Sequence, residues 1–262
     1  MTKIGFIGAG NMAFALAKSV NKSKLASKLV IFDINKGKID LFKKELNNVL
    51  VKNSNKEVVD DSDIIFIAVK PQVIDSVLDE IKDTDKLIIS IAAGIKINKL
   101  ESKLKNARIV RVMPNTPCLV GQMAAGFSTG DKVTAKDAKI VGEILSSAGK
   151  ALLMKESQLD AVTGLSGSGP AFVARLIEAM TEGGIKSGLS HDVALELAIQ
   201  TFKGTATLLE KTGMSPEELV KMVSSPGGTT VAGREILEKS DVKDILIKTI
   251  QTATKRSKEL GK

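Results

Sequence analysis

The chain has 262 residues, of which 43% are hydrophobic and 26% are charged, a balance typical of a globular protein of one or two domains. No stretch approaches the roughly 18 consecutive apolar residues of a membrane-spanning helix, so we predict no association with a membrane. Cys118 is the only cysteine, which excludes an intrachain disulfide and a cysteine metal site. We therefore expect a cytoplasmic protein with no metal site.

The net charge of +8 raises the question of a nucleic-acid partner. The lysines are scattered along the chain, often beside Glu or Asp, and do not gather into one basic segment. Trp and Tyr are absent, so only eight Phe are available to stack on bases, and most of them lie in apolar runs. We interpret the charge as a solvated surface and predict no nucleic-acid partner.

The N-terminal segment has the order strand, glycine-rich turn, helix. Thr2 to Ile7 is predicted to form a short buried strand, and Met12 to Val20 carries apolar residues at helical spacing. Residues 8–13, which join this strand to the helix, read G-x-G-x-x-A. The first glycine of this motif makes a tight turn, and the second lets a pyrophosphate approach the backbone. We predict a dinucleotide-binding loop, with the cofactor-binding residues Gly8, Gly10, Asn11 and Met12.

The second predicted strand, Lys28 to Phe32, ends at Asp33. In this fold an acidic residue there accepts hydrogen bonds from the adenosine ribose and repels a 2′-phosphate. Asp33 therefore favours NADH over NADPH, although Lys36 and Lys38 lie close enough in sequence to weaken the repulsion. The alternative is that Asp33 is a turn residue that caps the next helix.

Strands and helices continue to alternate up to about residue 156, which predicts an α/β domain with a parallel, doubly wound sheet of the Rossmann type. Ligands bind such sheets at the carboxyl ends of the strands. Three of these ends have distinctive sequences, at residues 68–71, 92–94 and 113–117. The predicted strands are 28–32, 49–51, 63–69, 86–91, 108–113, 124–128 and 151–154, and the predicted helices are 39–46, 73–81 and 134–148.

The strand pattern stops near residue 157, and residues 157–262 are predicted to form an all-α domain for substrate binding and dimerisation. Predicted helices cover 159–165, a long segment opened by Pro170, 193–211, 216–223, a segment from Thr229 and 242–260. Their broad apolar faces suit a dimer that shares one core, and the alternative is a compact bundle formed by a single chain.

The turn between the helices that end near Val223 and begin near Thr229 combines two glycines with Ser and Thr residues. The first amides of a helix lack internal acceptors and attract anions. No Lys, Arg or His lies in the turn, which favours a small carboxylate held by backbone amides and hydroxyls. We predict that Gly228, Thr229 and Thr230 supply amides and that Ser225 supplies a hydroxyl. The alternative is a simple glycine turn between packed helices.

The whole chain resembles the pyrroline-5-carboxylate reductase family. The resemblance rests on IGFIGAGNMA at 4–13, AVKPQ at 68–72, SIAAGI at 90–95, RVMPNTP at 111–117, DAVTGLSGSGPAF at 160–172 and VSSPGGTTVAGREILE at 223–238. It implies reduction of 1-pyrroline-5-carboxylate to L-proline with NADH or NADPH, the last step of proline synthesis. It also implies a Rossmann domain, an interlocked helical homodimer and, in many members, a pentamer of dimers. Because many members use NADPH, the preference for NADH that Asp33 predicts is a departure from them.

The resemblance also implies roles for individual residues. It places Ser225 against the substrate carboxylate and Thr230 against the ring nitrogen, and it places Asn115 beside the nicotinamide and the substrate. We therefore predict Thr230 and Asn115 as catalytic. The alternatives are a helix cap for Thr230 and a loop-stabilising amide for Asn115. The remaining predicted cofactor-binding residues are Ala68, Val69, Lys70, Pro71 and Ala93, and for Lys70 the alternative is a solvated charge at a strand end.

Two other functions stay open at this point. One is a dehydrogenase of small hydroxy acids, which needs a proton carrier such as His191 or Lys186 in the helical half. The other is a non-enzymatic module that senses NAD(P). We expect His191 to be a solvated residue at a helix start and Cys118 to be a packed side chain, so neither is predicted to be catalytic.

Overall fold

The computed structural model describes residues 2–261 and contains one mixed sheet and twelve α-helices within them. The strands are β1 Lys3–Ile7, β2 Lys28–Phe32, β3 Val49–Val51, β4 Ile64–Ile67, β5 Leu87–Ser90, β6 Arg108–Met113, β7 Met123–Thr129 and β8 Gly149–Leu153. The first six helices are α1 Asn11–Lys22, α2 Lys36–Glu45, α3 Asn55–Asp60, α4 Ile74–Glu80, α5 Ile97–Lys103 and α6 Ala135–Ser146. The others are α7 Leu159–Val162, α8 Gly169–Lys186, α9 His191–Thr212, α10 Pro216–Met222, α11 Thr229–Lys239 and α12 Val242–Leu260.

The sheet has the strand order β3-β2-β1-β4-β5-β6-β7-β8. The first six strands are parallel and follow the order typical of dinucleotide-binding folds, which confirms the predicted doubly wound fold. The expectation of a parallel sheet is wrong for the last two strands, because β7 is antiparallel to β6, and β8 is parallel to β7. The connection at residues 114–122 contains only a short 3-10 segment, and a crossover to a parallel neighbour needs a dozen or more residues.

The central strands are buried on both faces, as their continuous apolar sequences predict. Side chains alternate along β4, so that Ile64 and Phe66 pack into one core cluster and Ile65 and Ile67 into the other. Phe66 stacks on Phe6 with a distance of 5.0 Å between ring centroids. Two layers of helices therefore cover the sheet and hold the carboxyl ends of its parallel strands at one edge.

Two short helices that cover the sheet were not predicted. Helix α3 has 6 residues and α5 has 7, so each has too few apolar positions to show a helical period. Ser54 caps α3 by accepting a hydrogen bond from the Glu57 amide. A polar cap of this kind is the one local signal that identifies such a short helix.

The chain forms two compact units. Residues up to Ser168, together with those from Gln251 onward, make the first unit, and Gly169–Ile250 make the second, which we call the helical unit. The units divide at Ser168 and Gly169, which lies after the predicted domain boundary at 156/157. That domain boundary stays a prediction. Leu159 is fully buried in the first unit, and Ser257 Oγ donates a hydrogen bond of 2.7 Å to Asp160 Oδ1. The segment at 157–168 therefore packs with the sheet domain in a single chain.

The helical unit buries very little of its own surface. Only Thr181, Ala194 and Ala198 are buried among residues 169–250, and all three side chains are small. Large apolar side chains stay exposed, including Leu197 at 54% and Ile236 at 72%. The alternative of a compact single-chain bundle therefore does not describe this unit, because its helices lack a core of their own.

Polar residues mark the starts of several helices. The hydroxyl of Ser215 and the carboxylate of Glu218 form a reciprocal capping box at α10, and Thr134 and Asp137 form another at α6. Ser190 stands at the N-cap of α9, but its side chain makes no capping hydrogen bond. The predicted helix at 159–165 is only partly α-helical, because a π-helical turn at Thr163–Gly167 follows α7 and leads into α8.

The Asp137 carboxylate links α6 to the sheet. It accepts hydrogen bonds from the Thr134 amide at 3.0 Å and the Thr134 hydroxyl at 2.6 Å, and it pairs with Arg108 on β6. Burial alone would raise the pKa of Asp137. The hydrogen bonds from Thr134 and the Arg108 guanidinium have the larger combined effect, so the net pKa is lowered. The ionised form consequently stabilises the folded protein, and this contribution is lost as the pH falls through the lowered pKa.

We predict that Asp137→Asn lowers the free energy of unfolding near neutral pH by about 1–3 kcal/mol. The difference between variant and wild type should begin to shrink below about pH 4, the ordinary pKa of an unfolded Asp, and should disappear as the pH falls through the lowered pKa of Asp137. Urea unfolding at the two pH values measures both effects. Asp83→Asn, at an exposed position, is the control, and an equal loss for the two variants or a difference independent of pH would contradict the prediction.

Candidate active site

The glycine-rich loop after β1 is shaped by Gly8. Its φ is +95°, a left-handed value that favours glycine, and an added Cβ would lie 2.7 Å from the carbonyl oxygen of Ala68. The Gly8 amide donates a hydrogen bond of 2.9 Å to the carbonyl of Phe32. The loop is thereby held between the carboxyl ends of β1, β2 and β4.

Gly10 has a different reason to be glycine. It is the N-cap of α1, its φ of −68° suits any residue, and a Cβ built on it meets no atom within 4 Å. No side chain caps α1, so the amides of its first turn are left for an external acceptor. The protein itself does not require a glycine here, whereas a ligand lying against the backbone would. This open cradle over a helix start fits the pyrophosphate of a dinucleotide.

Asp33 braces the same loop. Its Oδ2 accepts a hydrogen bond of 2.7 Å from the Ala9 amide, and its Oδ1 accepts one of 2.8 Å from the Asn35 amide. The Nζ of Lys38 lies 3.8 Å from Oδ2 in an ion pair. The helix-capping alternative is not observed, because Asn35 is the residue whose side chain caps α2. Asp33 thus fixes the loop and lies next to a cation.

A cavity of about 760 Å³ in the first unit joins the glycine loop to the ends of β2, β3 and β4. Six of the predicted cofactor-binding residues line it: Gly8, Gly10, Asp33, Ala68, Val69 and Lys70. Asn11, Met12, Pro71, Ala93 and Asn115 are not among the lining residues, so their predicted roles stay predictions. The lining residues Asn53, Ser54 and Asn55 were not predicted, although they follow β3 at the carboxyl-end edge of the sheet, where ligands of this fold bind.

Two predicted residues on this edge are exposed. Lys70 precedes the 3-10 segment Pro71–Val73 and forms no ion pair with another described residue, which leaves its solvated-charge alternative open. Ala93 follows β5 and precedes Gly94, whose φ is +75°. An added Cβ on Gly94 would lie 3.2 Å from the carbonyl oxygen of Leu260, so the end of α12 lies against this loop.

Asn115 is buried and uses both ends of its amide inside the first unit. Its Oδ1 accepts a hydrogen bond of 2.9 Å from the Ala124 amide, and its Nδ2 donates one of 3.0 Å to the Ser166 carbonyl. The α-helical partner of that carbonyl would be the amide of residue 170, but Pro170 has no N–H. Asn115 therefore does stabilise this region, and its predicted contact with nicotinamide and substrate stays a prediction.

The predicted anion turn lies in the helical unit. Gly227 has a φ of +69°, and the Gly228 amide donates a hydrogen bond of 3.0 Å to the carbonyl of Ser225. A Cβ on Gly228 would lie 2.6 Å from Ser225 Oγ, so a glycine is needed to admit that hydroxyl. Of the three amides predicted to bind a carboxylate, the Gly228 amide already has an acceptor.

Thr229 and Thr230 begin α11, and both are exposed. No side chain caps this helix, so the capping role left open for Thr230 is not observed. The hydroxyls of both threonines are without a hydrogen-bond partner among the described residues. The helix start thus presents amides and two hydroxyls, together with Ser225, in an arrangement that can hold a carboxylate.

Other titratable groups offer no alternative centre. Burial raises the pKa of Cys118 to about 11, so the thiol is protonated at neutral pH. His191 is exposed at the start of α9, with Nδ1 3.1 Å from Asp192 Oδ1. Over residues 2–261, no group of three or more His, Cys, Asp or Glu side chains could hold a metal ion, and no helix is long and apolar enough to span a membrane.

Comparison with known proteins gives matches along nearly the whole chain. The family model described as "Pyrroline-5-carboxylate reductase dimerisation" matches residues 156–260, and "NADP oxidoreductase coenzyme F420-dependent" matches residues 3–94. The pyrroline-5-carboxylate reductase of Arabidopsis thaliana is 43% identical over 99% of this chain and 95% of its own length. The chain belongs to the pyrroline-5-carboxylate reductase family. The family's enzyme from Methanosarcina acetivorans is 42% identical over 99% of this chain and 98% of its own.

Solved structures of the pyrroline-5-carboxylate reductase family share the fold over their full length. The enzyme from Coxiella burnetii superposes with a TM-score of 0.95 at 32% identity, covering 100% of this chain and 99% of that one. The enzyme from Plasmodium falciparum, solved with NADP bound, has a TM-score of 0.87 at 35% identity, covering 100% and 98%. The Rossmann-type domain followed by helices, which the sequence predicts, is therefore the fold of this family.

The different geometries of Gly8 and Gly10 predict different outcomes for the same substitution. Gly10→Ala should leave the thermal midpoint near that of wild type and weaken NADH binding by about 10-fold, because its methyl group meets only the ligand. Gly8→Ala should lower the midpoint, because its methyl group meets the backbone of Ala68. Thermal unfolding and fluorescence titration with NADH distinguish the two, and wild-type affinity in Gly10→Ala would contradict the role of Gly10.

Proposed function

We propose that this protein is a pyrroline-5-carboxylate reductase, which transfers a hydride from NADH or NADPH to the C=N bond of 1-pyrroline-5-carboxylate and forms L-proline. The observation that carries the proposal is the 37–43% identity to curated pyrroline-5-carboxylate reductases over 98–99% of the chain. The product makes it an enzyme of proline biosynthesis. Its cytoplasmic location stays part of the proposal.

The substrate has one carboxylate and one imine, and the turn before α11 suits the first of these. The amides of Thr229 and Thr230, which lack side-chain acceptors, would bind the carboxylate together with the hydroxyl of Ser225. The positive end of the α11 dipole adds to the attraction of a negative charge. Gly228 would contribute by its conformation, since its amide is bonded to Ser225.

Reduction of the imine does not require a strongly acidic side chain. When bound, the nicotinamide supplies the hydride. A protonated imine is already electrophilic, so a strong acid is not needed, and the turn contains no His or Cys. The Thr230 hydroxyl, which is not engaged elsewhere in the described chain, would contact the ring nitrogen. Asn115 would lie beside the nicotinamide and the substrate, as the family resemblance implies.

The loop and cavity of the first unit would hold the cofactor. The amides at the start of α1 would bind the pyrophosphate, and Asp33 would accept a hydrogen bond from the adenosine ribose. We propose a preference for NADH, because the carboxylate of Asp33 disfavours a 2′-phosphate. Lys38, 3.8 Å from that carboxylate, and the neighbouring Lys36 would weaken the repulsion and permit use of NADPH.

The helical unit supports a homodimer. Its three buried side chains make no core, and its exposed leucines and isoleucines cover an area that a second copy can bury. The match of residues 156–260 to a dimerisation model agrees with this. A pentamer of dimers stays a prediction from the family resemblance.

The test of the function is oxidation of NADH or NADPH with pyrroline-5-carboxylate, run beside a panel of hydroxy and keto acids. We expect turnover of the imine alone and a higher kcat/KM with NADH than with NADPH. A clear preference for NADPH would contradict the role of Asp33. Turnover of a hydroxy acid would instead support a hydroxy-acid dehydrogenase. Nucleotide binding without turnover would support a non-enzymatic module that senses NAD(P).

Thr230→Ala tests the catalytic assignment within the same assay. We expect kcat/KM for pyrroline-5-carboxylate to fall by about 10- to 100-fold, since one hydrogen bond to a charged group is lost. The thermal midpoint should hardly change, because the hydroxyl makes no hydrogen bond within the described chain. Thr249→Ala, whose hydroxyl bonds only to the carbonyl of Ile245, is the control. Unchanged kinetics with a lowered midpoint would assign Thr230 to the fold alone.

A further inference from the structure

Arg234 reaches from the middle of α11 back to the turn that precedes the helix. Its Nη1 donates a hydrogen bond of 3.2 Å to Ser224 Oγ, ten positions earlier in the chain. Side chains of a helix lean toward its N-terminus, so a long residue in the second turn covers the helix start. Ser224 is the direct neighbour of Ser225, the residue predicted to contact the substrate carboxylate.

The guanidinium is held on its other side by Glu238. Arg234 Nε lies 3.0 Å from Glu238 Oε1, in an ion pair one helical turn apart. The contact is an ion pair only, because Arg234 Nε is buried and has no hydrogen-bond partner among the described residues. Such a partly exposed pair adds little to stability, but it places a negative charge beside the guanidinium. The Arg234 side chain is 33% exposed, whereas Lys239 in the next ion pair of the same helix is 76% exposed.

The turn itself has few bonds to keep its shape. The Ser224 amide donates a hydrogen bond of 3.3 Å to the Lys221 carbonyl, and the Gly228 amide donates one of 3.0 Å to the Ser225 carbonyl. Two adjacent glycines give it unusual backbone freedom. Within residues 2–261, Arg234 supplies the only side-chain hydrogen bond to residues 224–230 that comes from outside the turn.

We propose that Arg234 is a positioning residue for the substrate carboxylate. By holding Ser224 it fixes the hydroxyl of Ser225 relative to the amides of Thr229 and Thr230, so that the carboxylate meets a prepared site. This inference rests on the proposed reduction of pyrroline-5-carboxylate. The role belongs to the binding of the acid group, and the imine chemistry does not involve Arg234.

The test compares Arg234→Met with Ser224→Ala and with their combination. Each single variant should raise KM for pyrroline-5-carboxylate by about 10-fold, the effect of one charge-assisted hydrogen bond, while kcat and KM for NADH change little. The double variant should be no worse than either single one, because both remove the same contact. Arg234→Lys keeps a cationic donor and should recover part of the loss. Lys239→Met, which removes an exposed ion pair of the same helix, should behave as wild type.

A substrate without the carboxylate gives a second measurement. With 1-pyrroline, the variants and the wild type should have similar kcat/KM, so the preference for the acid should fall by about 10-fold in Arg234→Met. An unchanged KM for pyrroline-5-carboxylate in Arg234→Met and Ser224→Ala would overturn the proposal, even if their thermal midpoints fell. If Arg234→Met does not fold, Ser224→Ala decides alone. A wild-type protein inactive on pyrroline-5-carboxylate would contradict the proposed function itself.

Discussion

Substrate binding at the proposed site depends on the peptide N–H groups at the start of α11. A helix leaves its first amides without internal acceptors, and a Ser, Thr, Asp or Asn at the N-cap often satisfies one of them. Here the N-cap is Gly228, which has no side chain, and the adjacent hydroxyls of Thr229 and Thr230 do not cap the helix. A chain that leaves a helix start bare in this way has a place for an external anion. A small substrate with one carboxylate suits it without any cationic residue in the turn.

The second constraint is the lack of a core in the helical unit. Helices of this length are stabilised mainly by burial of their apolar faces, and residues 169–250 bury only three small side chains in one chain. The proposed substrate turn lies within this unit. Its geometry therefore depends on whatever covers those faces, and a second copy of the chain is the simplest cover. Assembly and substrate binding would then be linked, because loss of the partner would loosen the helices on which the turn is built.

Much of the architecture could be predicted because its signals are local. The continuous apolar run of β4, the glycine loop after β1 and the capping pair Ser215 and Glu218 each act through neighbours in sequence. The reversal of β7 was missed although its signal lies in the sequence, because the gap between the predicted strands 108–113 and 124–128 is too short for a crossover to a parallel neighbour. Helices α3 and α5 were too short to show periodicity.

The site could be predicted only in part, because several of its bonds join distant residues. The carbonyl of Ser166 needs a donor because residue 170 is proline, and Asn115, far away in the sequence, provides it. Asp33 was expected to face a ribose, but its contact with the Ala9 amide also makes it a brace of the glycine loop. The acceptor of the Gly228 amide lies within its own turn, and the turn's exact closure could not be read from residue types.

The most direct measurement is a crystal structure of the protein with L-proline bound. We predict that the proline carboxylate lies within hydrogen-bond distance of the Thr229 and Thr230 amides and of Ser225 Oγ, with the ring nitrogen toward the Thr230 hydroxyl. A proline carboxylate held elsewhere, for instance by a lysine outside residues 224–230, would contradict it.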